Sequence, residues 1–243
     1  MPTKKPLMTR LTGLLLALCF AYGPVAQAEE DWDDDWDFHV YEPDPWEGWN
    51  RKVFVFNEKL DTYAIKPVAT GYRRVTPQPV RRGVRNFFKN IWEVKNMANN
   101  GLQGKFRDAG VDLSRFMLNS TIGVFGIFDV ATKMGLQRND EDFGQTLGKW
   151  GVPSGPYVVL PVLGHSNLRD APALIPDAYT GIYPYMNENA YKYGLILAEG
   201  ISLRESLFDS EKMVTGDRYV FIRNGWLQNR EYKVLDGMVE DDF

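Results

Sequence analysis

Two histidines and one cysteine are all that the 243-residue chain offers toward metal and thiol chemistry. His39 lies in an acidic stretch and His165 in a Gly-His-Ser turn. A zinc site needs three or four convergent ligands, and no spacing here supplies them. Ser166 beside His165 does not make a nucleophile with its base, because such partners rarely neighbour each other in sequence. The G-x-S-x-G elbow is also missing, so Ser166 is read as a helix cap. Gly144, Gly148 and Gly151 match neither a P-loop nor G-x-G-x-x-G. Asp140, Glu141 and Asp142 could hold a cation but read better as a solvated polar tip. No cofactor and no metal is implied, and an enzyme survives only as an alternative.

What the residues describe instead is a chain that enters an apolar medium twice. Residues 116–131 carry a single charge, at Asp129, and residues 143–164 carry only Lys149. Between these arms lies a polar tip, Gln137, Arg138, Asn139, Asp140, Glu141 and Asp142. Neither arm reaches the roughly 20 uninterrupted apolar residues of a spanning helix. If the medium is a bilayer, the hairpin dips into it or lies along it, with Val124, Phe125, Ile127 and Phe128 as the inserting cluster. Gly144, Gly148 and Gly151 give the second arm backbone freedom and are expected to form a hinge that lets the hairpin move.

The N-terminus reads as a targeting segment. Lys4, Lys5 and Arg10 precede a short apolar run, and Ala26-Gln27-Ala28 supplies the small residues of a cleavage site. Residues 1–28 are therefore expected to be a signal peptide. The only cysteine, Cys19, has the outline of a lipobox, but bulky Leu18 stands where Gly or Ala normally precedes the Cys. Cleavage after Ala28 is favoured over lipidation at Cys19, which leaves a mature chain without thiols. Export also removes nucleic acid as a partner.

Residues 29–47 hold ten acidic residues and no Lys or Arg, interleaved with Trp32, Trp36, Phe38 and Trp46. Such charge density repels itself, so residues 29–43 are expected to be a disordered leader. Asp44-Pro45-Trp46-Glu47 is a helix start, with Asp44 as cap. From there Trp46, Trp49, Val53, Phe56, Leu60 and Tyr63 mark one apolar face, and Lys66-Pro67 is expected to end the helix. A second long helix follows Pro77-Gln78-Pro79. It carries Val80, Val84, Phe87, Phe88, Ile91 and Trp92 on one side, and Arg81, Arg82, Arg85 and Lys89 on the other. That basic side suits an anionic surface such as phospholipid headgroups; the alternative is pairing with the acidic leader or C-terminus. Further helices are expected near 106–120, with Leu113, Phe116 and Met117 inward, after Ser166 until Pro176, over 187–208 and over 217–232. Only Tyr157-Val158-Val159-Leu160 reads as extended. The fold class is mostly α, a single domain of amphipathic helices over 44–235 with an apolar Gly-rich hairpin, followed by an acidic tail, 236–243.

In order, these landmarks resemble the MlaA family, also called VacJ-like proteins. The matching pieces are D-P-W-E-G-W-N-R (44–51), F-N (56–57), P-Q-P (77–79), R-F-M-L-N-S-T-I-G (115–123), F-D-V-A (128–131), F-G-Q-T-L-G-K-W-G-V (143–152), G-P-Y (155–157) and L-R-D (168–170). The resemblance implies a helical ring in the inner leaflet of the outer membrane of a Gram-negative cell, around a polar, channel-like passage. It implies association with trimeric porins, removal of phospholipids that have strayed into the outer leaflet, and their delivery to a soluble periplasmic carrier, without hydrolysis. Lipid asymmetry is maintained that way. Residues 137–142 would be the family's flexible loop beside the passage. Many relatives are lipoproteins, and the weak lipobox at Cys19 departs from that pattern. A non-transporting membrane-surface or periplasmic scaffold of the same fold is the alternative reading.

Overall fold

The computed structural model describes residues 44–214 and 216–238. The expected signal peptide with Cys19, the expected leader with His39, and residues 239–243 of the expected tail lie outside the described residues. Among the described residues nine helices, one of them a single turn, run α1 Glu47–Leu60, α2 Lys66–Val75, α3 Gln78–Leu102, α4 Phe106–Thr121, α5 Val130–Lys133, α6 Phe143–Lys149, α7 Asp170–Thr180, α8 Asn189–Ser206 and α9 Arg218–Val234. Between α6 and α7 two strands, β1 Tyr157–Leu160 and β2 Gly164–Asn167, form an antiparallel hairpin with Tyr157 opposite Asn167. The architecture is mostly α, and the one stretch that reads as extended is β1.

Proline does not end helices where expected. A π-helical turn, Asp61–Ile65, joins α1 to α2, and Lys66 N–H donates to the Asp61 carbonyl five residues back. That widened turn takes up the clash a proline ring makes with the carbonyl four residues before it, so the chain stays helical through Pro67. Helix α7 likewise continues past Pro176 to Thr180. There the Asp177 side chain is held by Asn99 Nδ2 at 3.1 Å and by the Phe143 N–H at 3.0 Å, and Thr180 Oγ1 donates to the Asp177 carbonyl. Helix α1 begins at Glu47 with Trp46 at its cap position, two residues beyond the expected start. Ser166 caps nothing: it is buried in β2, and Asn167 Oδ1 accepts from the Asp170 N–H that opens α7. The two apolar arms do not form a pair of helices. The first packs along α3, the second on α7, and the second ends in the β-hairpin.

The interior has two parts. Val53 and Phe54 of α1, Tyr157 and Val159 of β1 and Tyr219 of α9 form an apolar core, flanked by Ile222, Trp226 and Leu227. The free edge of β1 is closed by side chains. Asn50 Nδ2 donates to the Tyr157 carbonyl and Asn50 Oδ1 accepts from the Val159 N–H; seven residues on, Asn57 does the same for the Leu160 carbonyl and the Val162 N–H. Two helix-borne amides thus replace a third strand.

Elsewhere the burial is reversed. Among the described residues nine apolar side chains are buried against twenty polar or charged ones, so hydrophobic burial alone does not define the interior. The stripe of α4 expected to face inward points out: Leu113 and Met117 are exposed, and so are Trp49 and Phe56 on the apolar face of α1 and Leu197 and Leu207 at α8. The inward stripes are Asp112, Arg115 and Asn119 on α4 and Ser202 and Glu205 on α8. A helix whose polar stripe is buried and whose apolar stripe is bare suits a surrounding medium that is itself apolar. No helix among the described residues is long and apolar enough to cross a membrane.

Candidate functional site

Helix α3 is the spine of the polar interior. Its buried residues Asn90, Glu93, Asn96, Asn99 and Asn100 recur at steps of three and four, one stripe of a helix. Glu93 meets Arg115 of α4 at 2.9 Å with both side chains nearly inaccessible, and Asn96 Nδ2 donates to Glu93 at 3.1 Å. Arg115 spreads its remaining N–H groups over Thr132 Oγ1 and Asp129, and Asn119 joins Asp129. Asn100 Nδ2 donates to Asp112 at 2.7 Å, and both side chains are inaccessible.

The segment expected to be a solvated, flexible tip is instead pinned to this spine. Arg138 pairs with Asp140 at 2.8 Å and lies 3.5 Å from Glu93. Glu141 is buried, accepting from Gln103 and Lys105, and its N–H donates to Asn96. Asp142 caps α6 through the Gln145 N–H and is gripped by both terminal nitrogens of Arg230 of α9, at 2.6 and 2.7 Å. Only Gln137 and Asp140 are exposed; Asn139 is half-buried. The physical reason is a buried cation: Arg230, which also holds Asp170 at 2.6 Å, needs carboxylates.

The hinge reading of the glycines is corrected by the same cluster. Gly144 and Gly148 lie within α6, not in a loop. A Cβ on Gly144 would sit 2.4 Å from Arg230 Nη2 and from Asp170 Oδ1, and one on Gly148 would sit 2.7 Å from Arg169 Nη1. Their role is close approach to an ionic cluster. Gly151 alone of the three has a left-handed backbone, φ +88°, and it ends the helix.

Of the basic side of α3, Arg82 and Lys89 are exposed, as headgroup contact requires. Arg81 and Arg85 are not free for that role: both pair with buried Glu205 of α8, Arg85 at 2.9 Å. Glu211 is a second hub, 3.0 Å from Lys66, 3.0 Å from Arg204 and 3.3 Å from Arg218.

The outer surface is the counterpart. Val124, Phe125, Ile127 and Phe128 are all exposed, Phe125 at 74%. Val124 and Phe125 take left-handed backbones at φ 52° and 56°, costly for such side chains. The turn is held by bonds from Phe125 N–H to Ser120, Gly126 N–H to Asn119 and Phe128 N–H to Gly123 carbonyls, and by Asn86 Nδ2 on the Ile127 carbonyl. Gly126 presses on Asn90, where a Cβ would come within 2.5 Å. The polar spine therefore braces the apolar tip in an orientation the tip would not choose alone.

Electrostatics follow burial and pairing. Loss of water pushes the Asp112 carboxyl up to about 7, because a single amide donor and the nearby Arg115 do not compensate. Desolvation also raises Asp177. The Arg230 fork outweighs desolvation and holds Asp142 well below the usual carboxylate range. Lys66 and Arg204 likewise outweigh desolvation and bring Glu211 down to about 2. Burial lowers His165, whose ring stacks on Tyr157 and accepts or donates at the Tyr157 hydroxyl through Nδ1. The chain offers an organised polar interior of amides and ion pairs under an apolar skin, with no nucleophile and base brought together around His165 or Ser166. Arg115 and Asn119 enter the sequence reading only as letters of the 115–123 motif, and Asn90, Asn96, Asn99, Asn100, Glu93, Asp112, Arg230 and Glu205 are absent from it. The three-to-four spacing of polar residues from Asn90 to Asn100 was the available signal.

Comparison with known proteins adds the following. The family profile described as MlaA lipoprotein matches residues 42–233. The intermembrane phospholipid transport system lipoprotein MlaA of Escherichia coli is 38% identical over 197 residues, 78% of this chain and 77% of that protein. The protein of the same name from Haemophilus influenzae is 28% identical over 244 residues, 98% and 93% of the two chains. An uncharacterized protein of Rickettsia typhi is 36% identical over 196 residues, 79% and 78% of the two. A solved structure described as the structural basis for maintenance of bacterial outer membrane lipid asymmetry matches with a TM-score of 0.70 at 35% identity, covering 79% of this chain and 100% of that one.

Proposed function

The chain belongs to the MlaA lipoprotein family, and from that premise we propose that it is the outer-membrane component of a phospholipid transport system. It removes phospholipids misplaced in the outer leaflet, passes them to a soluble periplasmic carrier and so maintains lipid asymmetry. The work is transport, not hydrolysis. One observation carries the reading: the buried stripes of α4 and α8 are polar while their apolar stripes are bare, and α3 buries a run of Asn and Glu between them. An amphipathic lipid moving between leaflets needs a polar environment for its headgroup and an apolar one for its chains, and this burial pattern supplies both.

Residence in the inner leaflet, in company with a trimeric porin, is the finer part of the proposal. The apolar tip Val124, Phe125, Ile127 and Phe128 inserts among acyl chains, while Arg82 and Lys89 meet headgroups. A mature N-terminus at Glu29 without acyl chains, rather than lipidated Cys19, makes that apolar surface the anchor. The test is complementation. In a Gram-negative strain deleted for its own family member, the chain should return outer-leaflet phosphatidylethanolamine, labelled with an impermeant amine reagent, to the parental level. Labelling that stays at the deleted-strain level sinks the proposal.

A further inference from the structure

Away from the polar spine, an open groove of about 370 Å³ is lined by Lys66, Thr70 and Arg73 of α2 and by Phe208, Glu211 and Lys212 between α8 and α9. That size is within the range of small-molecule sites. Lys66, Thr70 and Arg73, at i, i+4 and i+7, share one flank of α2. Val68 and Val75, both exposed, fall on the opposite flank, about 180° around the helix. Buried Ala69 points to the body of the protein between them. A helix with one flank cationic, the other apolar and a third face buried is built to lie at a boundary between headgroups and hydrocarbon.

The cations are held but not spent. Arg73 lies 3.6 Å from Asp209 and 3.9 Å from Glu205, inside ion-pair range but beyond a hydrogen bond, and its guanidinium lies over the Phe208 ring at 5.7 Å. Lys212 pairs with Asp209 at 3.0 Å, yet both side chains are at least 70% exposed, and such pairs hold weakly against a competing anion. Lys66 keeps two ammonium donors beyond its bond to Glu211. Three donors of positive charge thus converge over an aromatic floor, and Leu207 beside Phe208 is exposed.

We propose that this groove binds the phosphate of an amphiphile's headgroup, with the Arg73 fork and the Lys66 and Lys212 ammonium groups on the phosphate oxygens and the adjoining glycerol over Phe208. Arg73 is positioned for bidentate contact, and Asp209 swings into water as the anion enters. Of the transport reading, the inference uses only the supply of phospholipid. The chemistry it needs is a phosphate group, which a lipid or free phosphate would present alike.

The test uses the full chain in a non-ionic detergent and phosphate-free buffer, titrated calorimetrically with dihexanoylphosphatidylglycerol, with inorganic phosphate and with dihexanoylglycerol. Saturable binding of the phospholipid, weakened about tenfold or more in R73Q/K212Q and by added salt, is expected; R73K/K212R should retain most of it. Both substitutions fall on exposed side chains, and an unchanged melting temperature checks the fold. Inorganic phosphate binding as tightly as the lipid, with the same loss in the variant, supports the site and assigns it to the free anion. Equal binding by wild type and R73Q/K212Q, no saturable binding, or tighter binding of dihexanoylglycerol overturns it. A chain that restores asymmetry in cells without binding here sinks the groove alone, and one that binds here without restoring asymmetry sinks only the transport reading.

Discussion

Around the β-hairpin, Val53, Phe54, Tyr157, Val159 and Tyr219 exclude water in the ordinary way, with His165 kept neutral among aromatic rings. Between them in the chain, α3 and α4 meet through Glu93, Asn96, Asn100, Asp112 and Arg115, with Leu113 and Met117 of α4 turned out. The first region is held by non-directional burial, which tolerates small changes of shape. The second is held by charges and amides that have left water and depend on one another's geometry. The difference teaches that one chain can keep a water-excluding core at one place and an ion-pair lattice at another. What decides is the medium each helix face meets.

Removing one side chain from each region probes that contrast where the effect is largest. Arg115→Ala leaves Glu93 buried with only Asn96 and the longer 3.5 Å pair to Arg138, and should cost about 3–5 kcal/mol in denaturant unfolding of the detergent-solubilised chain. Phe54→Ala should cost about the same through its cavity. The two part company on rescue. Pairing R115M with E93L replaces the ion pair by apolar volume and should recover most of the loss, whereas no charge removal rescues Phe54→Ala. Failure of the double variant to recover would mean that the lattice is needed for more than pairing.

Asn50 sits where the two regions meet, a polar side chain closing the edge of the apolar core. Asn50→Ala strips partners from the buried Tyr157 carbonyl and Val159 N–H, and should cost about 2–3 kcal/mol. Amide hydrogen exchange should accelerate at Val159 ahead of the rest of the protein. Uniform exchange would show that the hairpin does not depend on this helix-borne amide.

A smaller effect separates the regions by pH. Asp112 faces Asn100, with Glu93, Arg115 and Asp108 as its charged neighbours, and its folded carboxyl titrates near 7. A raised carboxyl binds its proton more tightly folded than unfolded. Its stabilising contribution is therefore complete below about pH 4 and is lost as pH rises toward 7. Glu211 runs the other way, its contribution disappearing as pH falls toward 2. D112N should match wild type in melting temperature near pH 4 and exceed it at pH 8. Parallel curves for the two proteins would mean that Asp112 stays charged or stays neutral throughout.

How much of this could be read from the chain follows from the same contrast. The strand at Tyr157–Leu160, the helix opened by Pro77-Gln78-Pro79 and the late helices were legible, because turn chemistry and periodicity are local. The apolar stripes were legible as stripes: Trp49 and Phe56, Leu113 and Met117. Their direction was not, since a period of three to four residues reports an angle around a helix and not the solvent beyond it. The ionic partners could not be read at all. Glu205 lies more than a hundred residues from Arg81 and Arg85, and Arg230 lies 88 residues from Asp142. Gly144 and Gly148 looked like freedom when their cause was Arg230 and Arg169 pressing close.

The smallest expected effect on stability is the one that most sharpens the comparison. Phe54 and Phe125 are the same residue in opposite settings, one 7% and the other 74% exposed. In detergent, Phe125→Ser removes little that the folded chain buries, so unfolding should shift by no more than about 0.5 kcal/mol. Its backbone is already left-handed at φ 56°, and serine tolerates that no worse than phenylalanine. The change should appear in partitioning. If the tip reaches hydrocarbon, V124S/F125S/I127S/F128S forfeits most of the roughly 1–3 kcal/mol that each large buried side chain adds to membrane attachment. The quadruple variant should then be released from phospholipid vesicles by a high-salt wash that leaves wild type bound. Salt-resistant binding by both would put the anchor elsewhere on the apolar surface, with Leu197 and Leu203 of α8 next in line. Release of both would show that Arg82, Lys89 and their neighbours hold the chain to headgroups by charge alone.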